Sequence, residues 1–306
     1  MVRAFRLTLV CLTTSAIALG STTETNSDYL NWGPFPPVAP YTKSSLPRQR
    51  VVCPMIFPVI GRVHFKNGYN VNRGGFRHTA VDIAAPKMTP IVAPFSGTIG
   101  FKRETFWIYG DNGWAVLGTH LNDDNIGRND EAGGRDVMFA PDLVPGQHVS
   151  AGRFIGYVGA SGIATGPHLH FELFAPGSSP AASRLRNPFP SLKYSQRLRS
   201  ARVNIPQASE KPKKGNLRYT GCVRKVEASK NRLTLILTAV QDSSGKARAV
   251  TKVKYLKVSA SDAAAQTAGG WESLEALSEQ TQVSAYVPAK PGKAGYVAEK
   301  LTVEAL

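Results

Sequence analysis

Two histidines at alternate positions form the first candidate site. His168–Leu169–His170 lies in an apolar run that is typical of a strand. Because successive strand residues point to opposite faces, we expect both imidazoles on one face, about 7 Å apart. Paired imidazoles suit a metal ion or a catalytic water, although two solvent-facing histidines on a strand would give the same pattern.

A second motif places an imidazole and a carboxylate four residues apart, at His78 and Asp82. Gly74–Gly75 precedes it and Val81–Asp82–Ile83 contains it, which favours a strand entered from a glycine-rich loop over a helix. Zinc binds imidazole nitrogen and carboxylate oxygen, and a catalytic site takes three protein ligands. Two ligands from this motif and one from the His168–Leu169–His170 motif would supply those three. The alternative is that His78 and Asp82 are an ordinary histidine and aspartate at a strand edge without a metal.

The elements that position these residues are predicted to be mostly β. From Val51 to about Phe174, short apolar runs alternate with glycine, and no segment keeps a helical period for three turns. From Leu217 onward five more strands are predicted, with a short helix at 271–277 before the fourth. This order resembles a small OB-like barrel, either an accessory barrel without a ligand or a binder of oligonucleotides or oligosaccharides.

The residues around the two motifs resemble a known family. Residues 75–86 and 89–93 are similar to the first motif of the lysostaphin-type (LytM-like) zinc metalloendopeptidases, which are peptidoglycan hydrolases, and 159–172 are similar to their closing motif. Thr119–His120–Leu121 stands where that family has its other catalytic histidine. The resemblance covers roughly Phe57 to Leu173.

The resemblance implies a site for one Zn²⁺ per chain, with His78, Asp82 and His170 as its ligands. It also implies that His120 and His168 are catalytic, standing beside the attacking water as base or transition-state stabiliser. An uncoordinated histidine can exchange a proton near neutral pH, which agrees with this role.

The sequence departs from the family pattern at two positions. Ala80 stands where the family usually has glycine, and Gly118 stands where it usually has an aromatic residue two positions before His120. The second change is expected to affect the substrate groove. His64 and His148 have no partners by spacing and are expected at the surface.

An insertion at 122–136 is polar and acidic, and it is expected to form a surface loop at the border of the site. Calcium binding there is conceivable, although the loop has no EF-hand spacing.

The N-terminus has the layout of a secretory signal peptide. Residues 1–6 are short and basic, and the uncharged run at 7–19, which is largely apolar, is too short to span a bilayer. We predict a signal peptide at 1–20, export to the periplasm, cell envelope or medium, and no transmembrane segment after cleavage. An extended lead-in at 21–50 follows, and whether it covers the groove is left open.

Export would leave Cys53 and Cys222 as a pair in an oxidising compartment. One disulfide between them and two buried free thiols are both compatible with the sequence.

The net charge of +16 is concentrated in one segment. Residues 184–232 hold 14 of the 37 Lys and Arg residues and only two acids. We predict a LytM-like domain at 51–175, a Pro-rich and basic linker or surface-wrapping segment at 176–216, and the barrel at 217–306. The basic residues are either a tether to the anionic cell envelope or a solvated linker.

Three classes of function remain. The first is an exported zinc endopeptidase, expected to be a monomer, that cuts peptidoglycan stems or cross-links. The second is a non-enzymatic cell-wall-binding or regulatory module that keeps the fold. The third is a nucleic-acid binder, whose affinity would fall steeply with salt. The predicted export argues against this class. No nucleic-acid partner is therefore expected.

Overall fold

The structure is a computed structural model that describes residues 52–177, 184–202, 210–277 and 281–304. The predicted signal peptide and lead-in lie outside the described residues, as do parts of the predicted linker. In the described ranges, every helix is too short or too polar to cross a membrane.

An antiparallel sheet and a separate two-stranded ribbon form the first half of the chain. The sheet order is β1-β2-β9-β6-β5-β4-β7, and β3 pairs with β8 in the ribbon. The strands are β1 His64–Phe65, β2 Val81–Ala84, β3 Pro90–Val92, β4 Gly97–Lys102, β5 Thr105–Gly110, β6 Ala115–Thr119, β7 His148–Val149, β8 Phe154–Tyr157 and β9 His168–Phe174. A 3-10 turn at Arg135–Val137 precedes β7.

Side-chain alternation separates the main core from the face that carries the histidines. On β2, Val81 and Ile83 are fully buried in the main core, and on β9 Leu169 and Phe171 are buried beside them. The intervening residues therefore point to the opposite face, where water can reach them. The large apolar side chains of the sheet thus hold the backbone on which the polar residues are displayed.

The basic segment after β9 packs on the first sheet. Strand β10 (Leu185–Arg186) pairs with the end of β9, and helix α1 (Pro188–Tyr194) follows. Asn187 caps this helix by accepting a hydrogen bond from the Phe189 backbone N–H, and a proline occupies the first helical position. The guanidinium of Arg197 lies 3.8 Å from the centre of the Phe57 ring. Part of the basic charge is therefore used in packing.

The second half forms a nearly closed β-barrel sheet, in the order β16-β14-β12-β11-β15-β17. Its apolar interior is built from Leu, Val and Ala side chains of these strands and of two helices. The elements are β11 Asn216–Glu227, β12 Arg232–Asp242, β13 Ala247–Ala249, β14 Tyr255–Ala260, α2 Asp262–Gln266, α3 Trp271–Glu275, β15 Gln282–Pro288, β16 Tyr296–Ala298 and β17 Lys300–Val303.

The predicted fold class, mostly β with a barrel in the second half, is confirmed. Three details differ: a short additional strand, β13, follows β12, a second helix, α2, precedes the predicted one, and the predicted last strand is divided at Glu299 into β16 and β17. The OB-like assignment and the domain boundaries stay predictions.

A buried polar contact joins the barrel to the first half of the chain. Asp142 accepts hydrogen bonds through Oδ2 from both Arg153 and Gln282, and all three side chains are at least nine-tenths buried. Nearby, Arg224 of the barrel lies 3.8 Å from Asp136 at the partly exposed rim.

Both cysteines of the described chain are free and buried. The backbone N–H of Cys53 donates a hydrogen bond to the Ser191 hydroxyl oxygen at 2.9 Å. Burial raises the pKa of the Cys53 thiol to about 12. Cys222 is fully buried on β11, where burial also raises its thiol pKa. The structure therefore has the two free thiols and no disulfide between them.

Candidate metal centre

Three neighbouring strands bring the candidate residues together. Asp82 on β2 lies directly opposite His170 on β9, and Ala84 lies opposite His168. On the other side of β9, Thr119 is the register partner of His170. His120, which follows Thr119, therefore lies at the same end of the sheet as the two β9 histidines.

Three ligand atoms converge in this cluster. His78 Nε2 lies 3.1 Å from Asp82 Oδ1, His170 Nδ1 lies 3.3 Å from the same oxygen, and the two nitrogens are 3.3 Å apart. In a tetrahedral site with bonds of about 2.0–2.1 Å, two ligand atoms are separated by roughly 3.3–3.4 Å. The spacing of the three atoms fits a zinc ion.

The hydrogen bonds around the cluster fix which ring nitrogens face inward. His78 Nδ1 lies 2.9 Å from the carbonyl oxygen of Gly68, to which it can only donate, and His170 Nε2 lies 3.3 Å from Glu172 Oε1. The remaining nitrogens then present lone pairs to each other and to Asp82 Oδ1. This oxygen is buried and has no hydrogen-bond partner among the described residues. Three acceptors facing one another repel unless a cation or a proton lies between them.

The electrostatics of the cluster favour a positive charge at its centre. Burial acts to raise the pKa of Asp82, but His170, His78 and the hydrogen bond from Arg73 outweigh it and hold that pKa well below its ordinary value. Burial acts to lower the pKa of His170, but Asp82 and Glu172 raise it to about 9. An ionised carboxylate and a second one behind the histidine stabilise positive charge here.

Two further histidines border the cluster. His120 donates from Nδ1 to the Ser161 carbonyl at 2.8 Å, and His168 donates from Nδ1 to the Gly166 carbonyl at 2.7 Å. In the neutral form of each ring, Nε2 is then the acceptor. The two ring centres are 4.8 Å apart, and His168 Nε2 lies 3.6 Å from Asp82 Oδ1. Burial lowers the pKa of His120, only partly opposed by its bond to Ser161, so the ring is neutral near pH 7.

His120 adopts a left-handed backbone conformation, with a φ of 68°. This region is uncommon for residues other than glycine, and such conformations concentrate at functional sites. The Gly159 N–H donates to the His120 carbonyl at 3.0 Å and the following Leu121 N–H donates to the Glu104 carbonyl at 3.2 Å, which holds the turn.

The structure thus places His78, Asp82, His120, His168 and His170 in one cluster. His78, Asp82 and His170 are also the one group in the described ranges with three side chains spaced for a metal. His64 and His148 lie outside it: His64 is exposed, and His148 is exposed and contacts Asp111 at 2.9 Å.

Three polar residues of the site were not predicted from the sequence. Glu172 lies behind His170 and also accepts a hydrogen bond from the Thr79 hydroxyl. Arg73 donates from Nη2 to Asp82 Oδ2 at 2.6 Å. The strand alternation that pairs His168 with His170 extends to Glu172 and could have identified it, whereas Arg73 depends on the shape of a turn.

Gly118 faces the core and not the groove, which corrects the expectation from the sequence. A Cβ added there would lie 2.3 Å from Cε1 of Phe106 and 3.1 Å from Cδ1 of Leu169. The ring of Phe106, on the adjacent strand β5, therefore occupies the space beside Gly118. Ala80 is fully buried.

The acidic loop at 122–136 uses its carboxylates internally. Asp124 is buried and accepts hydrogen bonds from the Lys87 ammonium and from the backbone N–H groups of Asp130 and Glu131. These contacts account for Asp124 without a calcium ion.

The fold and the cluster define a β-sheet domain with a candidate metal site of histidine and carboxylate side chains. Residues 76–181 match the model of Peptidase family M23. The matched range is about a third of the 306-residue chain.

The curated relatives include the DD-carboxypeptidase/endopeptidase Mpg of Neisseria meningitidis serogroup B, 37% identical over 98 residues, which are 31% of this chain and 19% of that protein. The Neisseria gonorrhoeae protein of the same name matches equally. The chain thus spans about a fifth of the length of these relatives.

Two solved structures are also similar. The catalytic domain of the antimicrobial peptidase lysostaphin from Staphylococcus simulans is 26% identical, with a TM-score of 0.31, over 42% of this chain and 90% of that one. A zinc containing peptidase from Vibrio cholerae is 19% identical, with a TM-score of 0.33, over 47% of this chain and 41% of that one.

Proposed function

We propose that this protein is an exported zinc-dependent endopeptidase that hydrolyses peptide bonds in the stems or cross-links of peptidoglycan. The observation that supports it most strongly is the convergence of three acceptor atoms from His78, Asp82 and His170, spaced 3.1 to 3.3 Å apart. The match of residues 76–181 to the model of Peptidase family M23 and the name of the Neisseria relatives support peptide cleavage.

His78 through Nε2, Asp82 through Oδ1 and His170 through Nδ1 would hold the zinc ion. When bound, zinc supplies Lewis-acid polarisation of the scissile carbonyl and lowers the pKa of water toward neutrality. Glu172 and the Gly68 carbonyl hold the two ligand rings in the tautomers that metal binding requires.

His120 and His168 would move protons during the reaction. Each ring has its Nδ1 proton engaged by a backbone carbonyl, so Nε2 is the atom that accepts a proton from water and returns it to the departing amine. The lowered pKa of His120 keeps it neutral, and therefore able to accept a proton, near pH 7.

The substrate and the compartment are parts of the proposal that rest on the resemblance and on residues 1–20. An enzyme of this substrate class must reach the cell wall, and the predicted signal peptide provides that route. The barrel is proposed as an accessory domain, joined to the first half of the chain through Asp142, Arg153 and Gln282.

The proposal is tested with the purified full chain, by measuring bound zinc and the products released from peptidoglycan by mass spectrometry. We expect about one zinc per chain and cleaved peptides. His170→Ala is expected to lose both zinc and cleavage. His168→Ala and His120→Ala are expected to keep zinc and to lose about 100- to 10,000-fold in rate, the usual contribution of a general acid or base.

His148→Ala is the matched control, because this histidine is exposed and lies outside the cluster. It should leave zinc content and cleavage as in wild type. A wild-type protein that binds no zinc, or a His170→Ala variant that cleaves undiminished, would overturn the proposal. Zinc binding and wall binding without any cleavage would support the non-enzymatic module instead.

A further inference from the structure

Arg73 is carried to the metal cluster by a tight turn. The chain reverses between Asn72 and Arg77, which form an antiparallel bridge, and the Arg73 N–H donates to the Phe76 carbonyl at 2.9 Å. Gly74 and Gly75 have φ values of 70° and 120°, conformations that glycine adopts without strain. The turn therefore projects the Arg73 guanidinium over Asp82.

The guanidinium is held in place but only partly used. Nη2 donates to Asp82 Oδ2 at 2.6 Å, and this carboxylate is the one side chain in the described ranges that Arg73 is seen to bind. The Arg73 side chain is 44% exposed. Because a guanidinium carries five N–H donors in a rigid fork, most of them face solvent beside the cluster.

The charges around the cluster are asymmetric. Arg73 lies beside Asp82, whereas the carboxylate of Glu104 lies at the His120 side. A Cβ added at Gly162 would be 3.3 Å from Glu104 Oε1 and 4.0 Å from His120 Nδ1. Glu104 is itself 3.7 Å from the guanidinium of Arg103, whereas Arg73 keeps N–H donors that face solvent. An anionic group of a bound molecule is therefore favoured at the Arg73 side.

We propose that Arg73 binds a free carboxylate of the substrate, carried by the residue whose amine departs when the peptide bond is cut. The inference rests on the proposed function and narrows its substrate class to peptides with a free α-carboxylate next to the cleaved bond. In such a peptide the scissile carbonyl carbon and the carboxylate carbon are three bonds apart, about 3–4 Å. The Arg73 guanidinium already contacts the proposed metal ligand Asp82, so it can reach a carboxylate that lies this close to the scissile carbonyl. A guanidinium can bind such a carboxylate bidentately.

The test compares one peptide in two forms: a pentapeptide ending in D-alanyl-D-alanine, as the free acid and as the C-terminal amide. For the zinc-loaded full chain we expect kcat/KM to favour the acid by about 10- to 100-fold, the effect of a hydrogen bond to a charged group. In Arg73→Gln this ratio should fall to near one, mostly through KM, and Arg73→Lys should keep part of it. Arg62→Gln, which changes another exposed arginine, is the control and should keep the full ratio.

The ratio separates recognition from a structural effect. If Arg73 only orients Asp82, Arg73→Gln lowers zinc content or both rates together, and the acid-to-amide ratio does not move. An unchanged ratio, or no preference for the acid in wild type, overturns the inference while cleavage still supports the proposed function. Failure of wild type to cleave either peptide or peptidoglycan counts against the proposed function. In that case binding tests the carboxylate site: N-acetyl-D-alanine and its amide are each titrated into wild type and into Arg73→Gln by calorimetry. Equal affinity of wild type for the two compounds would overturn it.

Discussion

Glu172 Oε1 lies 3.3 Å from His170 Nε2, two residues away along the same strand. This carboxylate is 4% exposed, and it also accepts a hydrogen bond from the Thr79 hydroxyl. His170 is therefore held from behind, with Nδ1 directed at Asp82 and His78. The orientation of a metal ligand depends here on a residue that does not itself reach the metal position.

The first prediction concerns this residue. Glu172→Gln keeps the shape of the side chain but removes its charge and weakens its hold on the His170 N–H. We expect the affinity for zinc to fall about 10- to 100-fold, as for other partners that orient a ligand. Competition with a chromogenic chelator measures it. Glu131→Gln changes an exposed carboxylate and should bind zinc as wild type does; equal affinities of the two variants would contradict the role of Glu172.

The second prediction concerns Gly118. Gly118→Ala places a methyl group against the ring of Phe106, and in a packed core such overpacking costs about 1–3 kcal/mol. Urea unfolding should show that loss, and it should shrink when Phe106→Leu is added. Gly166→Ala is the control, because a Cβ there meets no atom within 4 Å. A stable Gly118→Ala protein would mean that Phe106 moves aside freely.

The third prediction is that the adjacent residues Asp123 and Asp124 have opposite effects on the pH dependence of stability. Burial acts to raise the pKa of Asp124, but Lys87 and two backbone N–H groups more than offset it and lower that pKa. Its ionised form therefore stabilises the fold above the unfolded-state pKa of about 4, and that stability is lost as the pH falls through the lower folded-state value. We expect Asp124→Asn to be destabilised at pH 7, by about 1–3 kcal/mol.

The neighbouring Asp123 should behave oppositely. Burial, together with the charges of Asp124, Glu131 and Glu104, raises its pKa, so its ionised form costs stability above that pKa. Asp123→Asn should then be neutral or stabilising at pH 7. Thermal unfolding of both variants between pH 3 and 7 measures the difference, and destabilisation of both to the same extent would be inconsistent with these contacts.

The fourth prediction concerns the junction with the barrel. Arg153→Met leaves the buried Asp142 carboxylate without its cation, and breaking a buried pair in this way costs about 3–5 kcal/mol. Arg224→Gln removes a partly exposed pair, 3.8 Å from Asp136, and should change stability by less than about 1 kcal/mol. Urea unfolding compares the two, and similar losses would show that the buried contact has no special weight.

Strand alternation alone predicted one pair of the site residues. The residues of β9 that share a face, His168 and His170, could be paired from the sequence because a strand has a period of two. The contact between His170 and Asp82 needed the register of β9 against β2, which the sequence did not supply and the resemblance only implied. Arg73 could not be predicted, since its position depends on the dihedral angles of the turn at Gly74 and Gly75.

Neighbouring strands decided the other differences. Gly118 was expected to alter the groove because the aromatic residue usual at this position is missing. The space beside Gly118 is instead filled by the ring of Phe106, which comes from β5, the strand paired with β6. Long-range strand pairing of this kind leaves no local signal in the sequence. Likewise, the prolines and charges of the segment after β9 resembled a linker, while its few apolar residues, such as Leu185, are what attach it to the sheet.

The position of Leu185 has a practical consequence for truncated forms of the protein. It is fully buried in a small cluster with Tyr69, Phe174 and two residues of β6, and its strand β10 covers the end of β9. A fragment ending at residue 175 would leave that strand end and the cluster open to water. Unpaired strand edges invite association with other chains, so such a fragment should aggregate more readily than one ending after Arg202.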